Sequence, residues 1–498
     1  MIGAFLLTSR FRPKLAAPVL ALGSFLFCAL AGWLSLAFLA LSVAGNFVAA
    51  GMIRRRPEGS AARRLLLAAA IIAHLAPLAA FKLAEQGHWL SDGRILPGGA
   101  PIAIPLGLAF YTLQQISFLV EVQRPDAPRL GFIRYAAWAS FFGQLPAGPI
   151  AVYKRMAAQY ARLGRDRVAP ALIARGLTLV LAGIVKKTWL ADPLARKVDA
   201  VFLGASVGGV TPLEAWTAAW GFLLQLYFDF SAYSDVAIGV GLCFGLALPI
   251  NFNSPLKADG PGQYVLRWHI SLMMFVRDHV FEPLFRLARR LPIRPTARRY
   301  AIAWALSTLG AYLAVAAWHT LAPFVLLEGL AVAGLIVALQ FARRQPSRPR
   351  TAGSLALRRI RAGASHLLLL VGASLTALFL RPGDQGQLQH ILPALFDLHG
   401  LAALAGDLVT QPGNIQFYPD ARLPGLWTIF MLATASVIVL ACPNTMEIFG
   451  IAGARPLVRR LIWRPNALWG ALTVLLFALA MMGMTRPVQP YAFIYARF

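Results

Sequence analysis

Charged residues are scarce in this chain of 498 residues. They make up 13% of it, whereas a soluble globular protein carries about 25%, and hydrophobic residues make up 58%. Apolar runs recur from one end to the other, and many of them approach the length of about 20 residues that a membrane-spanning helix needs. The sequence therefore predicts an all-α polytopic membrane protein with about 11 spans.

Acidic residues are few: 20 stand against 47 basic ones, for a formal net charge of +27. The basic residues cluster between apolar runs, which is the pattern of cytoplasmic loops beside anionic lipid. No soluble module is visible that could bind nucleic acid, so membrane lipid is the expected partner of this charge. The clusters occupy Arg54–Arg64, Lys154–Arg167, Arg286–Arg299 and Arg343–Arg361.

Cysteine and the common cofactor motifs are also lacking. The three cysteines are far apart and show no CxxC spacing, which predicts neither a zinc site nor a disulfide framework. HExxH and HxxxH spacings are absent, so no metal is expected. Neither a Walker loop nor GxGxxG occurs, which leaves nucleotide chemistry without support, and no GxSxG elbow surrounds Ser231 or Ser234, the serines considered as nucleophiles.

Local signals divide the apolar runs into helices. Leu15–Ile53 is too long for one span and is predicted to turn near Gly32. Glycines and prolines in Phe141–Ile150 break any regular helix there, so Gln144 is expected beside a group that can hydrogen-bond. Tyr300–Trp318 and Leu321–Phe341 form a predicted hairpin.

One membrane domain is predicted to cover residues 1–498. It comprises N-terminal helices over 1–100, a core over 101–341, a basic loop over 342–365 and C-terminal helices over 366–498. Within the core, Trp216–Phe230 and Val236–Leu248 are predicted as separate apolar pieces. Tyr264–Leu284 is amphipathic and is predicted to form a tilted or re-entrant helix.

The segment Gln225–Leu284 is mostly apolar and yet rich in polar side chains. Ionisable groups are costly in hydrocarbon and usually face a partner, a water-filled cavity or a site. Asp229 and Asp235 are predicted to pair with a base or to cap a helix. The polar set is Asp229, Asp235, Asn251, Asn253, Lys257, Arg267, His269, Arg277, Asp278, His279 and Glu282.

Two histidines are candidates for chemistry. His319, in the sequence AWHTLAP, lies between two spans, where it could simply bond a carbonyl at a helix turn. Burial disfavours the imidazolium, however, and a neutral imidazole is what a general base requires. His269, in RWHISL, is either a second site histidine or a helix-packing group, and the sequence alone does not bring the two together.

Eight motifs in order resemble the membrane-bound O-acyltransferase family, and in particular its bacterial members that act in alginate O-acetylation and lipoteichoic-acid D-alanylation. The resemblance is good from Ile104 to His319 and weaker towards both ends. The motifs lie at Ile104–Val122, Phe141–Ile150, Gln225–Gly245, Asn251–Pro255, Arg267–Leu272, Phe275–Leu284, Ala317–His319 and Phe493–Phe498.

The resemblance implies a helical fold around a central funnel, in a multi-pass protein of the bacterial inner membrane. It implies acyl transfer from a thioester donor on the cytoplasmic side, acetyl-CoA or an acyl carrier protein, to a glycan hydroxyl on the outer side, with no bound cofactor. A periplasmic acyltransferase or a carrier protein is the implied partner. His319 matches the family's essential histidine and His269 its second one.

Seven further residues are expected to support the site, by orienting His319 or by binding a substrate. They are Tyr233, Asp235, Asn253, Arg267, Trp268, Gln144 and Trp318. Two departures from the family bear on donor and acceptor identity: the sequence reads RDHVFEPLFRLARR where the family has RDYLYIPLGG, and WHTLAP where it has WHG.

The expected activity is transfer of an acyl group to hydroxyls of an exported or envelope polysaccharide, and acetyl is the favoured acyl group. Transfer of a D-alanyl or longer acyl group from a carrier-protein thioester is the alternative within the class. A transporter or flippase is the alternative outside it, because buried His, Asp and Arg also serve proton-coupled transport. No internal repeat is visible in the sequence, which argues against that alternative.

Overall fold

The computed structural model describes residues 1–86, 104–206, 208–344, 355–381, 385–400, 402–403, 406, 426–453, 459 and 461–486, and within these ranges it contains helices and no strands. The first eleven helices are α1 Ile2–Phe11, α2 Ala16–Ala29, α3 Trp33–Arg54, α4 Ala61–Gln86, α5 Leu108–Glu121, α6 Phe132–Ala139, α7 Tyr153–Arg162, α8 Pro170–Lys186, α9 Asp192–Ala205, α10 Pro212–Trp216 and α11 Phe222–Cys243.

Ten more helices follow along the chain. They are α12 Pro261–Val265, α13 Ile270–Val276, α14 Glu282–Ala288, α15 Thr296–His319, α16 Pro323–Arg344, α17 Leu355–Phe379, α18 Gln385–Leu395, α19 Leu426–Ala441, α20 Thr445–Ile448 and α21 Ala467–Met484. Turns of π-helix at Lys187–Ala191, Thr217–Gly221 and Arg277–Phe281 join α8 to α9, α10 to α11 and α13 to α14.

Six helices are long and apolar enough to cross a bilayer, judged by length and composition over the described residues. They lie within α3, α4, α15, α16, α17 and α21, and shorter apolar helices occur at Ile2–Phe11, Pro13–Ala29 and Trp427–Ala441. These helices confirm the predicted all-helical, multi-pass architecture. The number of long spans is smaller than the predicted count of about 11, because several apolar runs form shorter helices packed inside the protein.

The predicted turn at Gly32 is confirmed. Helix α2 ends at Ala29 and α3 begins at Trp33, and Gly32 between them has a φ of 107°. A residue with a side chain adopts such a positive φ only with strain, which is why a glycine terminates the first helix here. The predicted hairpin is likewise present as α15 and α16, joined by three residues, Thr320–Ala322.

Helix α11 is the buried axis of the core. It packs along α8 at glycines, so closely that a Cβ added to Gly239 would lie 2.6 Å from the Gly176 carbonyl oxygen, and one added to Gly183 would lie 2.7 Å from the Ala232 carbonyl oxygen. Small residues permit this close approach of two helices in a membrane protein. The prediction of separate pieces at Trp216–Phe230 and Val236–Leu248 is therefore wrong: one helix continues from Phe222 to Cys243.

The predicted single helix over Tyr264–Leu284 is also wrong, because the chain breaks at His269. This residue has a φ of 42°, in the left-handed region, and stands between α12 and α13. The backbone N–H of Ile270 donates to the Asn251 carbonyl at 2.9 Å, and that of Asn253 donates to the Arg267 carbonyl at 3.1 Å. A backbone held so far from its preferred region is typical of functional sites.

Candidate active site

His319 is the last residue of α15 and is buried. Its Nδ1 lies 3.0 Å from the carbonyl oxygen of Val315, one turn earlier in the same helix. A carbonyl can only accept, so Nδ1 carries the proton in the neutral ring and the lone pair is on Nε2. The two interpretations of this histidine are thus compatible: one nitrogen bonds a helix carbonyl, and the other has the electron pair that a base needs.

Lys82 fixes the end of the helix that carries His319. Its ammonium, which is 3% exposed, extends from α4 and donates to the main-chain carbonyl of His319 at 2.6 Å. A cation is favourable at a helix C-terminus because the last carbonyls and the helix dipole present negative charge there. Sequence reasoning missed Lys82, since a lysine near the end of an apolar run resembles an ordinary span boundary.

Trp318 lies between the two candidate histidines. Its indole Nε1 donates to the Ala109 carbonyl at 3.0 Å, which fixes the ring. The ring centroid is 4.8 Å from that of His319 and 5.9 Å from that of His269. His269 is 2% exposed and meets the edge of Phe230 at 4.7 Å. The fold therefore brings together two histidines that are 50 positions apart in the sequence.

Asn251 supports the strained backbone of His269. In addition to the main-chain contact with Ile270, its side-chain oxygen accepts from the Ser271 hydroxyl at 2.5 Å, and its Nδ2 donates to the Ser234 hydroxyl at 3.1 Å. Asn251 is buried and links α11 to the start of α13. Asn251 is the first residue of the motif NFNSP, but reasoning from the sequence selected Asn253, two positions later in the same motif, as the site residue.

A cavity of about 280 Å³ adjoins both histidines. Tyr264 and Trp268 line it near His269, with the two rings stacked at 5.6 Å. The cavity continues along α16 past Val332 to Leu339, and α17 forms its other wall. The cavity thus extends from the histidines towards the C-terminal end of α16, which is the helix end at Arg344.

Of the seven predicted supporting residues only Trp268 lines this cavity, and Tyr233 and Gln144 are two of those that do not. The Tyr233 hydroxyl donates to the Gly143 carbonyl at 3.5 Å, and the Gln144 side-chain nitrogen donates to the Trp138 carbonyl at 3.4 Å. Both therefore hold the broken segment Phe141–Ile150 against its neighbours. The expectation that Gln144 lies beside a hydrogen-bonding group is confirmed, and neither residue lines the space around His319.

Asp235 forms an ion pair on the opposite side of α11. Its carboxylate lies 2.6 Å from the Lys186 ammonium and accepts from the Thr445 hydroxyl at 2.9 Å. Asp229 pairs similarly with Lys187 at 2.6 Å. The prediction that these two acids pair with bases is confirmed, and Asp235 does not line the cavity.

Asn253 and Arg267 belong to the loops that carry His269. The Asn253 side-chain oxygen accepts from Asn444 at 3.2 Å, which links this loop to the start of α20, and its backbone N–H donates to the Arg267 carbonyl. Neither residue lines the cavity, so both act on the site through the backbone around His269. The remaining motif of the sequence comparison, Phe493–Phe498, lies outside the described residues.

Residues 112–379 match the model of the membrane-bound O-acyltransferase family. The chain belongs to this family. The matched region contains His269, Trp268, Trp318 and His319 together with the helices that form the cavity, so the expectation drawn from the eight motifs is confirmed.

Curated relatives in bacteria carry three different names. The peptidoglycan O-acetyltransferase of Helicobacter pylori is 34% identical over 269 residues, 48% of this chain and 50% of the relative. A probable alginate O-acetylase of Pseudomonas aeruginosa is 38% identical over 184 residues, 37% of this chain and 34% of the relative. The teichoic acid D-alanyltransferase of Bacillus subtilis is 24% identical over 47% of this chain and 59% of the relative. The chain thus spans about half the length of the curated relatives it matches, or less.

Proposed function

We propose that this protein is an O-acyltransferase of the bacterial inner membrane. It moves an acyl group from a thioester to hydroxyls of an exported or envelope polysaccharide, and acetyl is the favoured acyl group. The observation that carries the proposal is the arrangement of His319: its Nδ1 bonds the Val315 carbonyl at 3.0 Å, and its ring lies at the wall of a cavity shared with His269.

His319 is the general base in this proposal. A hydroxyl is a poor nucleophile until a base takes its proton, and the Nε2 lone pair is the acceptor for that proton. As the O–H bond breaks, the oxygen attacks the thioester carbonyl carbon. Collapse of the tetrahedral intermediate breaks the C–S bond, and the sulfur leaves with the proton that the imidazolium returns. Atoms and charge balance without a metal or a redox cofactor.

The proposal includes two entrances, one for each substrate. The apolar channel along α16 runs towards the basic segment Arg343–Arg361, where acetyl-CoA or an acylated carrier protein is available in the cytoplasm. The acceptor hydroxyl reaches His319 from the opposite side, near the turn Thr320–Ala322. A site that holds both reactants next to one base supplies much of the rate enhancement through positioning.

The relatives favour a polysaccharide acceptor, because their printed names refer to peptidoglycan, alginate and teichoic acid. Acetyl is favoured over D-alanyl as the transferred group. The two relatives named for acetyl transfer are 34% and 38% identical to this chain, whereas the relative named for D-alanyl transfer is 24% identical. A D-alanyl or longer acyl group from a carrier-protein thioester is the alternative. A separate periplasmic acyltransferase or a carrier protein belongs to the proposal as a partner.

Purified protein in lipid nanodiscs tests the proposal, with radiolabelled acetyl-CoA as donor and alginate or peptidoglycan fragments as acceptors. We expect His319→Ala to lower transfer by about 10²–10⁴-fold, the range attributed to a general base. Size-exclusion profiles must match those of the wild type. A well-folded His319→Ala protein that retains full transfer would remove the catalytic assignment.

The same assay separates the alternatives. A carrier protein loaded with a D-alanyl thioester replaces acetyl-CoA in a parallel reaction, and label that moves only from this donor favours the D-alanyl alternative. A transporter would instead move substrate across proteoliposomes with no new ester. Mass spectrometry of surface glycans from cells with and without the protein identifies the acyl group and the acceptor.

A further inference from the structure

Glu328 is an acid inside a membrane-spanning helix that the mechanism above does not use. It lies on α16, within the candidate span Pro323–Phe341, and it lines the same cavity as His269 and His319. An ionisable side chain at membrane depth is costly and usually marks a function. Its Oε1 is buried and has no hydrogen-bond partner within the described ranges. Thr376 of α17 stands beside the carboxyl group, placed to hydrogen-bond with it.

The packing of the hairpin fixes the level of Glu328 relative to His319. Its neighbour Gly329 is so close to α15 that an added Cβ would lie 2.8 Å from the Ala316 Cβ and 3.3 Å from the Tyr312 carbonyl oxygen. Ala316 precedes His319 by three residues, or about 4.5 Å along a helix. The main chain of Glu328 therefore lies about one helical turn from that of His319, in the direction of Leu339 and the basic segment.

The walls around Glu328 are largely apolar. Leu335, Ile336 and Leu339 follow it along α16, and α17 contributes further leucines on the opposite side. A substrate segment made of methylenes is accommodated by such walls. Any amide in that segment, in contrast, is destabilised unless it finds a hydrogen-bond partner, because a buried polar group without one loses its contacts with water.

Thioesters of coenzyme A and of acyl carrier proteins share one chemical feature that fits this position. Two methylenes separate the thioester sulfur from an amide N–H, which places that nitrogen about 5 Å from the reacting carbonyl carbon in an extended arm. With the carbonyl carbon beside His319 and the arm directed along α16, the amide N–H arrives at the level of Glu328. The carboxyl oxygen is an acceptor whether the group is neutral or charged.

We infer that Glu328 is a donor-binding residue, whose carboxyl oxygen accepts a hydrogen bond from the first amide N–H of a pantetheine-type thioester. The inference rests on the proposed function and adds to it the donor class and the residue that recognises it. By binding the arm one turn below His319, Glu328 sets how far the acyl carbonyl extends towards the base.

Two small donors that differ at one position test the inference. S-acetyl-N-acetylcysteamine contains the amide, and S-(4-oxopentyl) thioacetate has a methylene in place of the N–H and keeps the neighbouring carbonyl. We expect wild-type protein to use the amide donor with about tenfold higher kcat/KM, since a buried hydrogen bond to a carboxyl group is gained. Glu328→Leu should remove this preference by slowing the amide donor and leaving the ketone donor within about twofold.

Two further variants make the result specific. Glu328→Gln retains an oxygen that can accept, so it should keep most of the preference. Leu327→Ala changes the adjacent residue, which is 67% exposed on the lipid side, and should leave both donors unaffected. Size-exclusion and thermal unfolding profiles establish that each variant is folded.

Three outcomes would overturn the inference. If Glu328→Leu lowers kcat/KM equally for both donors, Glu328 has a structural role. If it lowers kcat/KM for neither donor, the donor arm binds elsewhere. Wild-type protein that transfers acetyl but does not distinguish the two donors would refute the inference while the proposed function stands. Wild-type protein that transfers from no thioester at all, including acetyl-CoA, would refute both.

Discussion

Two regions of this protein bury titratable side chains at membrane depth, and they differ in what surrounds those groups. Lys186 of α8 meets Asp235 of α11 at 2.6 Å, and Lys187 of the π-turn after α8 meets Asp229 of α11 at 2.6 Å. Around His269 and His319, the groups adjoin a cavity of about 280 Å³. Ion pairs between neighbouring segments hold those segments together, whereas a histidine that lines a cavity faces space that a substrate can occupy.

A segment rich in polar residues therefore does not by itself identify the residues that take part in a reaction. Both regions draw on the same polar segment Gln225–Leu284. Asp235 on α11 pairs with Lys186 of α8, and Lys187 of the π-turn after α8 is shared by Asp229 and Asp192, so these acids have their partners within the protein. The histidine of α15 has a hydrogen-bond partner for one ring nitrogen within its own helix, and this leaves the other nitrogen suited to proton transfer.

The largest effect on folding is expected from breaking the buried ion pair. Lys186→Met leaves Asp235 as a buried carboxylate without its base, which costs about 3–5 kcal/mol of stability. Chemical denaturation in detergent or recovery of monodisperse protein measures the loss. The double variant Lys186→Met/Asp235→Asn removes both charges and should return to within about 1 kcal/mol of wild type. Equal destabilisation of the single and double variants would show that the loss does not come from the unpaired Asp235 carboxylate.

A smaller effect, and on turnover rather than folding, is expected at Lys82. Lys82→Met removes the ammonium that binds the His319 carbonyl, so the end of α15 loses its fixed position. A shift of about 1 Å in a catalytic group can cost 10²-fold, and we expect kcat to fall about ten- to hundredfold with KM within about twofold.

Lys82→Arg is the matched control, because it keeps a donor at this helix end and should restore part of kcat. A rise in KM with unchanged kcat would instead connect Lys82 with substrate binding. If Lys82→Met fails to fold while Lys82→Arg folds, Lys82 has a structural role like that of Lys186. That result would weaken the contrast between the two regions.

The smallest effect is expected at Trp318. Trp318→Phe keeps an aromatic ring between the histidines but removes the indole N–H that donates to Ala109. The buried carbonyl then lacks that partner, at a cost of about 1 kcal/mol of stability, and turnover should fall only a few-fold. Trp304→Phe, on the same helix, is the control in thermal unfolding and turnover assays. A loss of activity as large as that of His319→Ala would give Trp318 a direct role in the reaction.

Sequence reasoning succeeded where the signal was local. Gly32 marked the turn between α2 and α3, the glycines and prolines of Phe141–Ile150 marked a broken segment, and two apolar runs separated by a short link marked the α15–α16 hairpin. Each of these features depends on the backbone preferences of residues within one turn. None required knowledge of a distant partner.

It failed where a distant partner decides the outcome. The polar residues of α11 seemed to divide an apolar run, yet the helix continues, with Asp235 paired with Lys186 of α8 and Asp229 with Lys187 of the following π-turn. The break at His269 was hidden for the same reason, since the hydrogen bonds that stabilise it come from Asn251 and Asn253. Periodicity within one segment contains no information on such contacts.

The site shows the same division. The motif residues His269, Trp268 and His319 line one cavity, and the Trp318 ring contacts both histidines. Lys82, Asn251 and Glu328 were missed as members of the site, because their relation to the histidines depends on packing between helices far apart in the sequence. The catalytic role of His319 stays a prediction until it is tested.

The link between α15 and α16 has a consequence for how this enzyme family can diversify. Only Thr320–Ala322 separate His319 from Pro323, the first residue of the helix that lines the cavity, so lengthening the link would displace the histidine and the cavity wall together. Evolution of new substrate preferences should therefore proceed by exchanging side chains along α16 and α17, at constant loop length. Directed-evolution libraries for altered acyl donors are best confined to those same positions.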